Sequence, residues 1–480
     1  MSPTIALVLT LSLVPGAERP PNIVFVLADD LGINDLACYG RSEHRTPHLD
    51  RLATQGVRFT SAYCAQPICS PSRAAILTGK APARLHLTTY LPGRPDCASQ
   101  KLLHPKMRQE LPLEETTLAE RLKKAGYATA CIGKWHLGGK GFGPEAQGFD
   151  VVHAGTANTK PSDTEGGKGE YDLTAEAEKF IEANRERPFF LYLAHNSPHI
   201  AYTAKPESVE KHAGAFEPVY AALIETLDDA VGRLVAKIDA FGLAAQTILV
   251  FTSDNGGLHV PEGGHERITH NTPFRAGKGF LYEGGLRIPL IVRWPGHVPA
   301  GRTVEAPVTN LDWVPTLLAV AEQSMPEGLD GVSILGLLTG KSEPTGRKLF
   351  WHFPHYTNQG GRPAGAVRDG AWKLVERYED GRFELYNLAE DAGEQRNLAA
   401  KEPERVLQLR DALAAWRVAV GAQANEPNSR FELSEHVPLY EDVDVSRYEP
   451  ANAKGFERER ILQWREGMNA AVQAVNARRK

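Results

Sequence analysis

Asn22-Ile23-Val24-Phe25-Val26-Leu27-Ala28, ending on Asp29-Asp30, sets the fold. After Asn22 the run is apolar throughout and β-branched at Ile23, Val24 and Val26, the pattern of a strand buried on both faces of a parallel sheet. The pattern recurs. Residues 127–132 (Tyr-Ala-Thr-Ala-Cys-Ile) lead to Lys134 and His136, and residues 188–194 (Pro-Phe-Phe-Leu-Tyr-Leu-Ala) lead to His195 and His199. Residues 247–252 (Thr-Ile-Leu-Val-Phe-Thr) lead to Asp254-Asn255, and residues 288–292 read as one more strand. Helical patterns fall between them: 46–56 with Pro47 in the first turn, 69–79, 116–126, and 217–241 with apolar residues at helical spacing. This order predicts an α/β fold: a large mixed, mostly parallel sheet flanked by helices.

In an open parallel sheet, ligands bind outside the carboxyl ends of the strands. Asp29-Asp30, Lys134 with His136, His195 with His199, and Asp254-Asn255 are therefore expected to converge on one site. Taken singly, each has a plainer reading. Adjacent aspartates are common in solvated turns and helix caps, and His195 fits a core histidine as well as a ligand. Unless a cation lies between them, however, two adjacent carboxylates repel by about 4 kcal/mol at an effective dielectric of about 20.

Cys69-Ser70-Pro71-Ser72-Arg73, continuing to Leu77-Thr78-Gly79, predicts a helix with Cys69 at its N-terminus. The helix field is expected to lower the thiol pKa and to suit an anion; a helix-start cysteine without chemistry is the alternative. Between 271 and 289, glycines surround Lys278, which reads either as a held functional cation or as a solvated charge. Loops 84–113, 155–169, 201–215, 257–270 and 352–362 are expected to frame a pocket. Within them His86, Arg94, His265, His270 and His355 could face a polar ligand or solvent.

The chain has 480 residues, 42% hydrophobic and 24% charged, with 54 Lys and Arg against 59 Asp and Glu. That is the balance of a globular protein, without the basic footprint of a nucleic-acid binder. Five cysteines (Cys38, Cys64, Cys69, Cys97, Cys131) form no Cys-x-x-Cys pair, which argues against zinc and against a dense disulfide framework. The apolar run 5–14 is too short to span a bilayer and fits a signal peptide over 1–17, hence export to the periplasm or medium. No Lys or Arg precedes it, so a buried first strand is the alternative. Residues 20–345 read as the main α/β domain, with a linker at 341–346. Residues 346–425 read as a C-terminal α+β subdomain with an antiparallel sheet, from the hairpin 371–377/382–388 around Glu379-Asp380-Gly381 and a helix over 402–420. Residues 426–480 form an extension ending in a helix, suited to packing or an oligomer contact.

Cys69-Ser70-Pro71-Ser72-Arg73 with Leu77-Thr78-Gly79 resembles the signature of the formylglycine-dependent sulfatases, and Gly133-Lys134-Trp135-His136-Leu137-Gly138 resembles their second signature. The resemblance runs from 21 to about 296 and more weakly to about 420. It implies a sulfuric ester hydrolase of the alkaline phosphatase superfamily acting on a sulfate monoester of a small molecule or glycan. Cys69 would be oxidised to formylglycine by a formylglycine-generating enzyme, a partner that reads Pro71 and Arg73. The hydrated aldehyde would attack sulfur to give a covalent sulfo-enzyme, and its second hydroxyl would expel sulfate. The resemblance assigns the metal to Asp29, Asp30, Asp254, Asn255 and the residue derived from Cys69. Oxygen ligands of variable reach suit Ca2+ better than Mg2+. Lys134, Lys278 and His199 would bind sulfate, His136 would assist the hydrate, and Arg73 would support it. Three carboxylates balance Arg73, Lys134 and Lys278, so one divalent ion leaves a net charge of +2 that favours a sulfate ester. Two further readings stay open: a phosphonate monoester or phosphodiester hydrolase of the same superfamily, and a non-catalytic binder of sulfated glycans in which Cys69 is never converted.

Overall fold

The computed structural model describes residues 19–155, 167–342 and 346–479. The proposed signal peptide, most of the 155–169 loop and part of the 341–346 linker lie outside the described residues. The large sheet has nine strands: β1 (Asn22–Ala28), β2 (Val57–Tyr63), β3 (Ala128–Lys134), β4 (Val151–Gly155), β5 (Phe189–Ala194), β6 (Thr247–Ser253), β7 (Arg287–Arg293), β8 (Arg302–Val304) and β9 (Val308–Thr309). Their order is β9-β2-β7-β6-β1-β5-β3-β4, with β8 also on β2. β1 lies at the centre, parallel to β5 and β6, and every residue of β1, β3, β5 and β6 is buried. That accounts for the unbroken apolar runs.

Only β7 runs against its neighbours β2 and β6, as a mixed sheet requires. The reversal places the start of β7 at the carboxyl edge of the parallel strands. The 255–286 connection therefore leaves and returns at that edge, carrying Lys278 with it. Helices fall into two groups, Pro47–Gln55 with Glu170–Asn184 and Pro218–Ala240, and Cys69–Thr78 with Leu118–Lys124 and Trp313–Val320. Pro47–Gln55, Cys69–Thr78, Leu118–Lys124 and Pro218–Ala240 match the expected helices to within a turn at their ends, whereas Glu170–Asn184 was not anticipated.

The C-terminal sheet is antiparallel in sequence order: β10 (Lys348–Phe353), β11 (Ala364–Asp369), β12 (Trp372–Arg377) and β13 (Phe383–Asn387). The expected hairpin is β12–β13, with Gly381 at φ 65° in its turn. One face packs under helix Pro403–Ala419 through Val367, Leu374, Leu385, Leu409 and Leu413; the other, through Trp351, Ala366, Val375 and Tyr386, joins the main core. The extension also joins the main core: Ile461, Trp464 and Met468 of helix Phe456–Arg479 are buried in it. Among the described residues no helix is long and apolar enough to cross a membrane.

Candidate active site at the carboxyl edge of the sheet

Five strands end at one place. β1 delivers Asp29 and Asp30, β2 leads through residues 64–68 to Cys69 at the first position of its helix, β3 ends on Lys134, β5 leads to His199, and β6 delivers Asp254 and Asn255. Asp29, Asp30, Asp254, Arg73 and Lys134 are buried to 2% exposure or less, and Cys69 and Asn255 are equally sealed. Of the residues expected to converge, all but His195 meet here.

Close approaches of backbone hold it together. Gly133, at φ 103°, lies so near the Ala194 carbonyl that a Cβ there would meet its oxygen at 1.9 Å, so β3 and β5 can deliver Lys134 and His199 side by side only with glycine at that point. Asp30 (φ 65°) and His136 (φ 57°) occupy the left-handed region without being glycine, a cost of about 1–3 kcal/mol each that surrounding structure must offset.

The Cys69 Sγ lies 3.5 Å from Asp29 Oδ1 and 3.8 Å from Asp30 Oδ1. Arg73 donates through Nε to Asp254 Oδ2 (2.8 Å) and through Nη1 to the Lys134 carbonyl (2.8 Å). Lys134 Nζ donates to Asp29 Oδ2, Lys278 Nζ to Asp30 Oδ2 at 2.6 Å, and Asn255 Nδ2 to Asp30 Oδ1 at 2.8 Å. His199 Nε2 lies 3.7 Å from Asp30 Oδ2, while its Nδ1 hydrogen points to the Ile200 carbonyl. His136 Nε2 contacts the Leu91 carbonyl at 3.0 Å, leaving Nδ1 buried and unpartnered.

The electrostatics follow from burial set against neighbours. Burial, the largest influence on Asp29, pushes its carboxyl up, yet Lys134, His199, Arg73 and Lys278 together hold it well below the usual range. Asp30 is lowered likewise, against burial, chiefly by Lys278. Asp254 goes the other way: burial pushes it up to about 6 despite Arg73, with Asp29 and Asp30 adding to the rise. Burial brings His136 and His199 down to about 3, helped by Lys134 for the first and Lys278 for the second.

The Cys69 thiol corrects the sequence expectation. A helix N-terminus lowers a thiol pKa only where solvent or a cation can stabilise the thiolate. Here burial dominates and, with Asp254 and Asp29, outweighs Lys134 and Lys278, so the thiol is pushed well above its ordinary value. As cysteine, Cys69 is a poor nucleophile.

The donor set fits a hard cation. Oxygens of Asp29 and Asp30, Cys69 Sγ and a His199 ring nitrogen all lie within 4.8 Å of one another, and Asn255 Oδ1 is buried without a partner. Crowded carboxylates and an orphaned amide oxygen are what oxygen coordination needs. His199, which the resemblance assigned to sulfate binding or proton donation and not to the metal, belongs to this group spatially.

Lys168 was not anticipated. It is 1% exposed, and its Nζ donates to the carbonyls of His199 (2.7 Å) and Ile200 (3.0 Å), tying down the His199 segment. Burial lowers its pKa to about 8. Lys168 lies in the 155–169 loop, one of those expected to frame a pocket, but no motif singles it out within that loop. His195 is fully buried with both ring nitrogens unpartnered, a core histidine. Of the loop residues, His86 contacts the Gly421 carbonyl, His265 stacks on Tyr202, His270 meets Arg41, and His355 bonds Thr88. All five cysteines are free thiols.

A sheet edge that gathers oxygen ligands, lysines and an arginine around a residue at a helix N-terminus defines a hydrolase for a tetrahedral oxyanion ester. The family model Sulfatase matches residues 21–323, and the chain belongs to the sulfatase family, the type I sulfuric ester hydrolases of the alkaline phosphatase superfamily. A second family model, N-sulphoglucosamine sulphohydrolase, C-terminal, matches residues 275–418. Human arylsulfatase A is 35% identical over 420 residues, covering 77% of each chain. Human N-acetylgalactosamine-6-sulfatase is 36% identical over 362 residues, covering 67% of this chain and 66% of its own. The crystal structure of Ps i-CgsB in complex with k-i-k-neocarrahexaose aligns at a TM-score of 0.71 with 27% identity, over 83% of this chain and 93% of the other.

Proposed function

We propose that this sulfatase cleaves a sulfate monoester carried by a carbohydrate, with Cys69 converted to formylglycine and one calcium ion held by Asp29, Asp30, Asp254, Asn255 and the converted residue. The observation that carries the reading is the meeting of Cys69 Sγ with Asp29 and Asp30 beside two buried lysines. The sulfated-carbohydrate class rests on the relatives named for N-acetylgalactosamine 6-sulfate and on the neighbour bound to an oligosaccharide.

Formylglycine, once hydrated, supplies two hydroxyls, one to attack sulfur and one to release sulfate; the ion supplies Lewis acidity at the sulfate oxygens. The chain's own residues do the rest. Lys134 and Lys278 are placed to take sulfate oxygens when Asp29 and Asp30 are shared with the ion. Arg73 stays cationic because Asp254 and Asp29 outweigh its burial, and so fixes Asp254 and the end of β3. His136 presents an unpartnered Nδ1 for the hydrate. Burial and Lys278 keep His199 neutral, and an anionic ester beside Nε2 favours its protonated form, from which the leaving oxygen draws a proton. Its Nδ1 contact with Ile200 and the Lys168 bond to its carbonyl set the ring's direction. Export through residues 1–17 would bring the enzyme to extracellular glycans.

The mass of the peptide containing Cys69 tests the first step: protein from a converting host is expected to have lost sulfur there, and an unmodified peptide would favour a glycan binder. Turnover of an aryl sulfate against an aryl phosphonate tests the reaction class, and dominant phosphonate activity would overturn it.

A further inference from the structure

Among the described residues, three arginines have a buried terminal guanidinium nitrogen without a hydrogen bond: Arg73, Arg94 and Arg465. Arg73 faces Asp254 and Asp29 within the site. Among the described residues no carboxylate lies within ion-pair distance of Arg94 or Arg465, and Glu262 acts on Arg465 only from farther away. Arg94 is 5% exposed; its Nη1 donates to the Tyr440 hydroxyl (2.9 Å) and the Thr357 carbonyl (3.3 Å), leaving Nε and Nη2 sealed and unpartnered. Arg465, from helix Phe456–Arg479 of the extension, is 7% exposed, lacks partners at Nε and Nη2, and lies over the ring of its neighbour Trp464. A buried guanidinium without a counter-ion is costly, and native proteins rarely keep one without a use.

Both lie beside the active site. Leu91 donates to Ser70, next to Cys69, and its carbonyl meets His136; Arg94 is three residues on, at most about 10 Å of chain. Gln359 donates to Glu262 (2.6 Å), and its Oε1 lies 3.0 Å from where a Cβ on Gly279, the residue after Lys278, would stand. Trp464 packs on Gly360. Glu262 acts on Lys278 and on Arg465, and Arg465 also feels Arg94.

We propose that Arg94 and Arg465 form a subsite for a second oxyanion on the substrate sugar, a carboxylate or another sulfate, next to the sulfate that is cleaved. The inference rests on the sulfatase reading and gives the C-terminal extension a part in specificity. Two guanidinium forks supply charge-assisted donors matched to planar or tetrahedral oxyanions. Glu262, which stabilises the Arg465 charge, repels an incoming anion, so a group that engages both arginines is favoured over one that engages Arg465 alone.

The test compares a monosaccharide bearing one sulfate, the same sugar bearing two, and the same sugar bearing one sulfate and a carboxylate. In the wild type, the preferred doubly anionic sugar is expected to have the higher kcat/KM and to raise the Tm; which of the two does so identifies the oxyanion. In Arg465→Met the preference ratio is expected to fall about tenfold or more, the loss of at least one charge-assisted bond, and the Tm rise from that sugar is lost. Arg465→Lys, which keeps charge without the fork, should fall between. The Tm of unliganded Arg465→Met should equal or exceed that of the wild type, whereas a purely structural arginine would lower it. A wild type without preference for a second anion, or an unmoved ratio in Arg465→Met, overturns the subsite. A ligand-induced Tm rise that depends on Arg465 without turnover of any sulfate ester would instead sink the sulfatase reading and leave the subsite standing.

Discussion

Two clusters of buried charge sit about the loop that carries Lys278. One is the active site. The other joins that loop to the C-terminal sheet: Lys373 of β12 lies 2.9 Å from both Glu283 Oε1 and Glu394 Oε1, Arg287 Nε lies 3.0 Å from Glu283 Oε2, Tyr63 donates to Glu283 at 2.6 Å, and the Glu283 amide donates to Glu394 Oε2 at 2.7 Å. Glu283, Glu394 and Lys373 are as fully buried as Asp29, Asp254 and Arg73. In the second cluster each carboxylate faces Lys373 together with a hydroxyl or an amide, and only Glu394 Oε1, at ion-pair distance from Lys373, lacks a hydrogen bond; burial, with Glu283 adding to it, raises the Glu394 carboxyl to about 7. In the first, three aspartates crowd together while Asn255 Oδ1 and His136 Nδ1 stay unpartnered. Burial of charge does not by itself mark a site; crowded like charges with donors and acceptors left over do.

Substitutions can break this contrast. Cys69→Ala is expected to lower aryl sulfate turnover by about 10⁴ or more, since the nucleophile acts as part of a unit, with the circular dichroism spectrum unchanged; turnover near the wild-type rate would refute the mechanism. Lys278→Ala should cost about 10²–10³ in kcat, the scale for one oxyanion-stabilising donor, with a modest change in unfolding midpoint. Lys373→Met should do the reverse. Leaving Glu283 and Glu394 facing each other costs about 3–5 kcal/mol of stability, read from urea unfolding, while activity per folded molecule persists. If Lys373→Met abolished activity in fully folded protein, the second cluster would have to be counted as part of the site.

Chelation sharpens the same contrast. Calcium at about a hundred times its Kd adds about 2.7 kcal/mol to stability, so EDTA should lower the Tm and abolish activity, and calcium should restore both better than magnesium. The calcium increment should be the same in Lys373→Met as in the wild type. The smallest expected effect concerns His195. Burial holds its pKa at about 4 against 6.5 for the free side chain, so the unfolded chain takes up this proton at higher pH than the native one. The histidine's contribution is therefore retained above pH 6.5 and lost as the pH falls towards 4, at up to about 1.4 kcal/mol per pH unit. His195→Leu should flatten the pH dependence of the urea midpoint over that interval, and an unaltered slope would show that His195 is not the group responsible.

Much of the site was legible in the sequence because strand direction fixes where strand-end residues go. A buried apolar run announces a parallel strand, and its next polar residues must lie at the carboxyl edge, which located Asp29, Asp30, Lys134, His199, Asp254 and Asn255. Other features lacked such a signal. β2 carries Arg58 and Thr60 within its length, β4 is a largely exposed edge strand, and β10 and β11, which pair with each other, include Lys348, His352, Arg368 and Asp369, so none of them has the continuous apolar pattern that identified β1. Lys168 lies well beyond the end of β4, and Arg465 is on a helix far from any strand end.

By itself the sequence determined the architecture, the polarity of the sheet and the identity of the residues at its functional edge, because periodicity and signature spacing are local properties. Tertiary structure alone decided the rest. The reversal of β7 returned Lys278 to the edge, burial turned Cys69 into an unreactive thiol, and the Lys373 network fastened the loop. The C-terminal helix packed Trp464 on Gly360 and buried Arg465 without a hydrogen bond at Nε or Nη2. Each outcome depends on desolvation and on side chains far apart in the chain, and neither is encoded in any short stretch of it.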